Sequence, residues 1–173
     1  MQNYLLMKKS KEIEDLSSLL GFEKTFFLDE DFVLLEEDNK KELLKKINNC
    51  RKKIVVYKAK SEEMLRFALE RTSVDIVFGM ELINPKDSVH FVRGSLDQIL
   101  CKIAASKGKI VGFSFNDILN ARDRAKLLGR MILNIKLCKK YGVKMLFSSF
   151  SVSKMEMRSA NDLEAFFRIF GKN

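Results

Sequence analysis

Short apolar runs alternate with stretches of helical period along the chain, and no Pro- or Gly-rich linker divides them. Strands are predicted at residues 3–7, 24–28, 53–58, 74–78, 109–115 and 144–148. Two of them hold near-continuous apolar runs, Ile54-Val55-Val56-Tyr57 and Val74-Asp75-Ile76-Val77-Phe78. Strands covered on both faces of a parallel sheet read this way. Between them, Ser61 ahead of Glu62-Glu63 can cap a helix over 62–70. Ser95 followed by Gln98 has the form of a capping box opening 95–106, with Leu96, Ile99, Leu100 and Ile103 as one apolar stripe and Gly108 as its stop. Asn161 is the expected cap of the last helix and Gly171 its end. The longest helix is predicted over 122–141. On a helical wheel Arg122, Lys126, Arg130, Lys136 and Lys140 fall within one third of the circumference. Leu127, Leu128, Met131, Ile132, Ile135, Leu137 and Cys138 cover most of the opposite side. Strand–helix alternation at this rhythm gives an α/β domain spanning 1–173, either a doubly wound sheet or a closed (β/α) barrel, and periodicity leaves that choice open.

Charge sharpens the picture. The chain has 173 residues, 46% of them hydrophobic, and a formal net charge of +9. Residues 1–90 carry 16 Lys+Arg against 17 Asp+Glu, whereas residues 91–173 carry 16 against 6. A surface that collects so much positive charge repels itself unless a polyanion is near, and nucleic acid is the commonest such partner. The plainer alternative is a basic domain whose lysines only keep it dispersed. Five cations without an anion on one helical stripe also repel one another, which favours a face turned toward phosphate.

Several kinds of chemistry are missing. Cys50, Cys101 and Cys138 are odd in number and far apart, which suits three buried thiols in a reducing compartment better than a disulfide framework. No apolar run reaches the length of a membrane span, and the opening MQNYLLMKKSKEIEDL turns polar too early for a signal peptide, so a cytoplasmic protein is expected. His90 is the one histidine, no Cys-x-x-Cys occurs, and neither Gly-rich phosphate loop is present. Gly112-Phe113-Ser114-Phe115 is not a nucleophile elbow. The carboxylate runs Asp29-Glu30-Asp31 and Glu36-Glu37-Asp38 have the composition of solvated loops, although a two-metal nuclease built on them is conceivable. Neither a cofactor nor a metal is expected, and the residues argue against an enzyme working with its own side chains.

The second half is more specific. Val89-His90-Phe91-Val92-Arg93-Gly94-Ser95-Leu96-Asp97-Gln98-Ile99-Leu100 leads into a helix and then a strand ending Ile110-Val111-Gly112-Phe113-Ser114-Phe115. The helix of 122–141 follows, then Met145-Leu146-Phe147-Ser148-Ser149, then Glu156-Met157-Arg158-Ser159-Ala160-Asn161-Asp162-Leu163. These five pieces, in this order, resemble the ribonuclease P protein component 3 family, the archaeal relative of the eukaryotic 30-kilodalton subunit. The likeness covers about residues 74–171, and the first 70 residues share only the strand–helix pattern. Phe150 departs from it, since relatives usually have a small residue after the paired serines. The resemblance implies a (β/α) barrel of the TIM/PHP-like type, shortened or incompletely closed. It implies a non-catalytic subunit of the ribonucleoprotein that removes the 5′ leader from precursor tRNA. The implied partners are ribonuclease P RNA, component 2 and the other protein subunits, with precursor tRNA reached indirectly and no membrane.

In such a barrel function gathers where strands end on the C-terminal face. Arg93, just ahead of a helix capped by Ser95, is placed to grip phosphate. Arg158 lies four residues before Asp162, which suggests an internal ion pair, an RNA contact, or both. Arg122, Arg124, Lys126 and Arg130 supply the rest of an RNA-binding ridge. Ser114 and Ser148, at strand ends, are candidates to donate to phosphate or to cap helices. Residues 64–82, with Phe67, Phe78 and Met80, are the candidate surface for the protein partner. The 14 phenylalanines mostly suit core positions, so recognition of RNA by backbone and shape is expected rather than base stacking. Two rivals remain: a stand-alone metal-dependent phosphoesterase on the same barrel, and a protein-only scaffold.

Overall fold

The structure, a computed structural model, describes residues 1–50, 53–87, 90 and 92–171. The Val89 and Phe91 of the family-like segment lie outside the described residues. In chain order the elements are β1 (Gln2–Leu5), α1 (Lys11–Leu19), β2 (Lys24–Phe27), β3 (Phe32–Leu35), α2 (Lys40–Asn49), β4 (Ile54–Lys58) and α3 (Glu62–Arg71). They continue with β5 (Ile76–Phe78), α4 (Gln98–Ser106), β6 (Ile110–Ser114), α5 (Phe115–Leu119), α6 (Arg124–Tyr141), β7 (Lys144–Ser148) and α7 (Ala160–Gly171). The six expected strands are all present: the one expected at 144–148 has those bounds, and the other five are shorter by one or two residues. The strand β3 was not expected, because the acidic runs on both sides of Phe32-Val33-Leu34-Leu35 give that stretch the look of a loop.

Every strand pairing is parallel, in two ladders: β1-β2, and β3-β4-β5-β6-β7. Among the described residues the ladder does not close, so the fold is α/β with parallel sheets rather than a continuously hydrogen-bonded barrel. It breaks between β2 and β3 and between β7 and β1. Both sheets nevertheless share one inner cluster of Tyr4, Phe26, Phe32, Val56, Ile76, Phe78 and Phe150. Alternation in β4 illustrates the layering: Val56 enters that cluster, while Val55 and Tyr57 join the main core beneath the helices. Tyr4 stacks on Phe26 at 4.5 Å and Phe78 on Phe150 at 4.4 Å. Gly112 makes room for them, since a Cβ there would stand 3.1 Å from the Cβ of Phe78. Phe150 has a positive φ of 46°, a costly backbone state for a bulky residue, and its burial against Phe78 is what offsets the strain. The departure at this position therefore has a packing role.

Side chains join the strands where the ladder breaks. Asn3 is wholly buried, and its Oδ1 accepts hydrogen bonds from Ser148 Oγ at 3.0 Å, Ser149 N–H at 3.2 Å and Ser149 Oγ at 2.6 Å. Ser148 Oγ in turn accepts from Tyr4 N–H at 2.7 Å, and Leu6 N–H donates to Ser151 O. Ser148 is thus neither a helix cap nor exposed to a ligand; it substitutes for a missing ladder bond. Ser148→Ala is expected to leave Tyr4 N–H without a partner and cost about 1–3 kcal/mol in urea unfolding.

The caps hold two corrections. Ser61 caps α3 as expected, accepting from Met64 N–H at 3.2 Å. Ser95, however, has a φ of 63° and accepts from Asn84 Nδ2, so it does not open α4. Asp97, with an extended backbone, caps that helix by accepting from Leu100 N–H at 2.7 Å. Ser159, not Asn161, caps α7, accepting from Asp162 N–H at 3.1 Å. Gly108, at φ 65°, follows the end of α4 as predicted. Cys101 and Cys138 are buried, but Cys50 is only partly so. Phe78 and Met80 are also buried, which removes them from any docking surface; Phe67 alone of that trio reaches the surface, below Lys40.

Candidate nucleic-acid interface

The chain leaving β5 is held by α6 through a buried polar network. Gly79 turns it with a φ of 74° into a short 3₁₀ turn at Met80–Leu82. Arg130, only 3% exposed, reaches under this segment. Its Nη1 donates to Glu81 O at 2.7 Å and Asn84 O at 2.6 Å, and its Nε to Asp87 Oδ1 at 2.8 Å. One turn later Asn134 Nδ2 donates to Glu81 Oε1 at 2.8 Å and Gly94 O at 2.7 Å. A Cβ on Gly94 would overlap Asn134 Oδ1, so only glycine permits this approach. Asp87 Oδ1 also accepts from Arg93 N–H at 2.9 Å. That bond, and then the Arg130 guanidinium, hold the Asp87 carboxyl below its ordinary range. Burial acts the opposite way on Glu81, whose carboxyl is pushed up to about 7 despite the Asn134 amide.

This corrects the placement of Arg130. On the wheel it belongs to the exposed ridge; in the fold it is an internal clamp. Most of the stripe faces solvent while Arg130 reaches inward, because the segment over α6 brings carbonyls and a carboxylate to meet it. Asn134, at the border between Arg130 and the apolar side of the wheel, was the signal that α6 carries a polar network inward, and its place in the sequence among Met131, Ile135 and Cys138 could have revealed it.

The remaining predicted cations stay at the surface of the same end. Arg93 is exposed and borders a groove of about 670 Å³ with Glu62, Arg66, Ser95 and Asp97. Arg122 is exposed, and with Lys126 it lines a hollow of about 200 Å³ above Arg130. Lys126 Nζ donates to Pro85 O at 2.7 Å, and Arg124, also exposed, donates to Leu119 O at 2.9 Å. Arg93, Lys126 and Arg130 are therefore tied to one loop, with Arg122 beside it. Arg158 sits on the neighbouring segment after β7. Its Nη1 donates to Met155 O at 3.0 Å and Met157 O at 2.8 Å, and its expected ion pair with Asp162 is absent; Asp162 is exposed. Glu156 anchors this segment, accepting from Val152 and Ser153 N–H and from Asn120 Nδ2. Ser114 caps α5, accepting from Asp117 N–H at 3.1 Å.

Acids near the strand ends are mostly matched by lysine: Lys58 with Asp117 at 3.4 Å, and Lys60 with Glu36 at 2.6 Å. Burial pushes the Asp117 carboxyl up, and Lys58 opposes the shift. Among the described residues no three His, Cys, Asp or Glu side chains come together as a group able to hold a metal ion. No helix among them is long and apolar enough to cross a membrane. His90 is exposed.

No protein-family model matches the chain. It is 30% identical over 171 residues to ribonuclease P protein component 3 of Methanosarcina acetivorans, covering 96% of this chain and 67% of that protein. It is 31% identical over 121 residues to the protein of the same name from Methanosarcina mazei, covering 68% and 47%. For Archaeoglobus fulgidus the identity is 24% over 158 residues, covering 88% and 74%. The chain thus spans from about half to three quarters of the length of these relatives. Among solved structures, a chain in the cryo-EM structure of archaeal ribonuclease P with mature tRNA superposes with a TM-score of 0.71. The match covers 98% of this chain and 72% of that one at 22% identity, so it supports the fold. An uncharacterized protein of known crystal structure matches with a TM-score of 0.55, over 79% of this chain and 33% of its own. An identity of 30% sustained over nearly the whole chain, together with this shared α/β architecture, makes the protein a member of the ribonuclease P protein component 3 family.

Proposed function

We propose that the chain is an RNA-binding protein subunit of ribonuclease P that supports removal of the 5′ leader from precursor tRNA without supplying catalytic groups. The observation that carries this reading is the family relationship along almost the whole chain. The end of the molecule that holds Arg93, Arg122, Arg124, Lys126 and Arg158 adds to it: Arg93 stands on a segment tied to Arg130 and Asn134, Arg124 and Lys126 stand on α6 itself, and the segment of Arg158 is anchored by Glu156. A pre-ordered cationic loop loses less freedom on meeting phosphate than a mobile one. The partners are ribonuclease P RNA, component 2 and other protein subunits, with precursor tRNA engaged through the assembly, in the cytoplasm. The two ladders are read as one interrupted (β/α) barrel of a single domain over 1–173, supported by the inner cluster that both sheets share. No observation favours the phosphoesterase rival.

Reconstitution tests the proposal. Cleavage of precursor tRNA by the cognate RNA with its other protein subunits is expected to fall sharply at low magnesium when this chain is omitted. Unchanged cleavage without it overturns the reading.

A further inference from the structure

The exposed cations of α6 do not form one ridge. Arg124 stands at its start and Lys136, Lys139 and Lys140 near its end, with the exposed Ala125 and Gly129 between them. At about 1.5 Å per residue the far group lies roughly 18–24 Å along the helix from Arg124. They lie at opposite ends of the sheet, because α6 runs back from the C-terminal ends of the strands to the start of β7. Lys136 and Lys140 belong to the stripe expected to face phosphate, but Lys102 and Lys144 were not foreseen beside them, and the clamp at Arg130 does not reach this group.

This far group is organised around Tyr141. The ammonium of Lys102, from α4, lies 5.9 Å from the centre of its ring, and that of Lys140 lies 5.6 Å away. Tyr141 Oη donates to Gln98 Oε1 at 3.3 Å, which pins the ring against α4. Lys136 follows on the same face one turn back, and Lys144 begins β7 three residues on. Lys102, Lys136, Lys140 and Lys144 are all exposed, and among the described residues none is within ion-pair distance of a carboxylate. No Asp or Glu occurs from 98 to 116 or from 124 to 155, and Asp97, at the start of α4, is the acid that adjoins these stretches on the α4 side. Two ammonium groups that both stand within 6 Å of one ring centre add positive charge at one place, and the ring quadrupole only partly offsets it. A phosphate backbone laid over this group neutralises that charge and releases counterions.

We infer that the Lys102–Lys136–Lys140–Lys144 cluster is a second RNA-backbone contact, so that the protein braces two RNA segments against its opposite ends. The inference rests on the RNA-subunit reading and extends it from one contact face to two. Arg122 and Arg124 serve one segment and the lysines around Tyr141 the other, with α6 as the rigid spacer. The lysines carry no base-reading groups, so the contact is to the sugar–phosphate backbone and is insensitive to sequence.

The test counts short RNA duplexes of about ten base pairs bound per full-length chain at low salt, by native mass spectrometry and calorimetry. Two duplexes per wild-type chain are expected. The exposed double variant Lys102→Gln/Lys140→Gln is expected to bind one, with the slope of log affinity against log salt reduced by roughly two units for the lost contacts. Arg122→Gln/Arg124→Gln is expected to bind one as well, and the four-fold variant none. A wild-type chain that binds a single duplex with affinity unaltered in Lys102→Gln/Lys140→Gln overturns the second contact and leaves the RNA-subunit reading standing. Two duplexes retained by that variant overturn it too, because the second contact then lies elsewhere. No salt-sensitive binding at all removes both readings together.

Discussion

Arg130→Met is expected to destabilise the protein by about 3–5 kcal/mol, the usual cost of removing one partner from a buried, hydrogen-bonded ion pair. Methionine fills much of the same volume, so the loss is electrostatic rather than a cavity. Three acceptors lose the guanidinium at once: Glu81 O, Asn84 O and the Asp87 carboxylate, of which Asp87 keeps the Arg93 N–H. Asp87 is about a quarter exposed and can recover water, which sets the expected value toward the lower end of that range. Arg130→Lys should recover little, since one ammonium cannot reproduce the fork that spans both carbonyls and Asp87. Arg122→Ala provides the contrast. It is exposed and should change stability by no more than about 0.5 kcal/mol, while lowering the salt slope of RNA affinity by roughly 0.9. Urea unfolding and RNA titration on the two variants separate a clamp from a contact. Equal stability in both would mean that Arg130 is not the buried clamp described here.

The wheel could not make that distinction, and the reason is physical. A helical projection records which residues share a side, but burial depends on what the chain lays over that side from elsewhere. Glu81, Asn84, Asp87 and Gly94 meet α6 at Arg130 and Asn134, and nothing local to α6 announces that meeting. The strands were more legible, because Ile54–Tyr57 and Val74–Phe78 are covered on both faces and need apolar residues at nearly every position. The strand β3 escaped notice for the converse reason: four apolar residues between acidic runs satisfy a loop pattern as well as a strand pattern. Capping failed at Ser95 because the motif fixes residue types and not backbone state. A serine in the left-handed region cannot cap, and Asp97 two residues later, in extended conformation, can. The breaks in the ladder were invisible as well, since Asn3, Ser148 and Ser149 are ordinary polar residues until the fold brings residues 3 and 148 together. Family likeness reached the second half of the chain most readily, and there it named the family that the comparison with Methanosarcina acetivorans supports.

Glu81 carries the second large effect. Its carboxyl is buried, with the Asn134 amide donating to it, Arg130 nearby and Asp117 opposing ionisation. Burial raises it from 4.5 to about 7. In the unfolded chain the same group ionises at its ordinary value, so between about pH 4.5 and 7 the folded protein holds a proton that the unfolded chain has lost. Stability therefore falls as pH rises through that window, and above it the folded state bears the cost of a buried carboxylate. A shift of this size corresponds to roughly 3 kcal/mol at full burial. Asp117, also raised by burial, contributes in the same direction. Glu81→Gln keeps an oxygen to accept from Asn134 Nδ2 and removes the ionisation. It is expected to be roughly 2–3 kcal/mol more stable than the wild type at pH 8, close to it at pH 5, and to have a much flatter profile between them. Urea midpoints across pH 4.5–8.5 test this directly, and a wild-type profile that rises over that window would mean that Glu81 ionises near its ordinary value. The variant also separates the two tasks of the segment over α6. If holding Arg93 in place needs only the hydrogen bond to Asn134, RNA affinity at neutral pH stays unchanged while stability rises; if it needs the negative charge beside Arg130, affinity falls as stability rises.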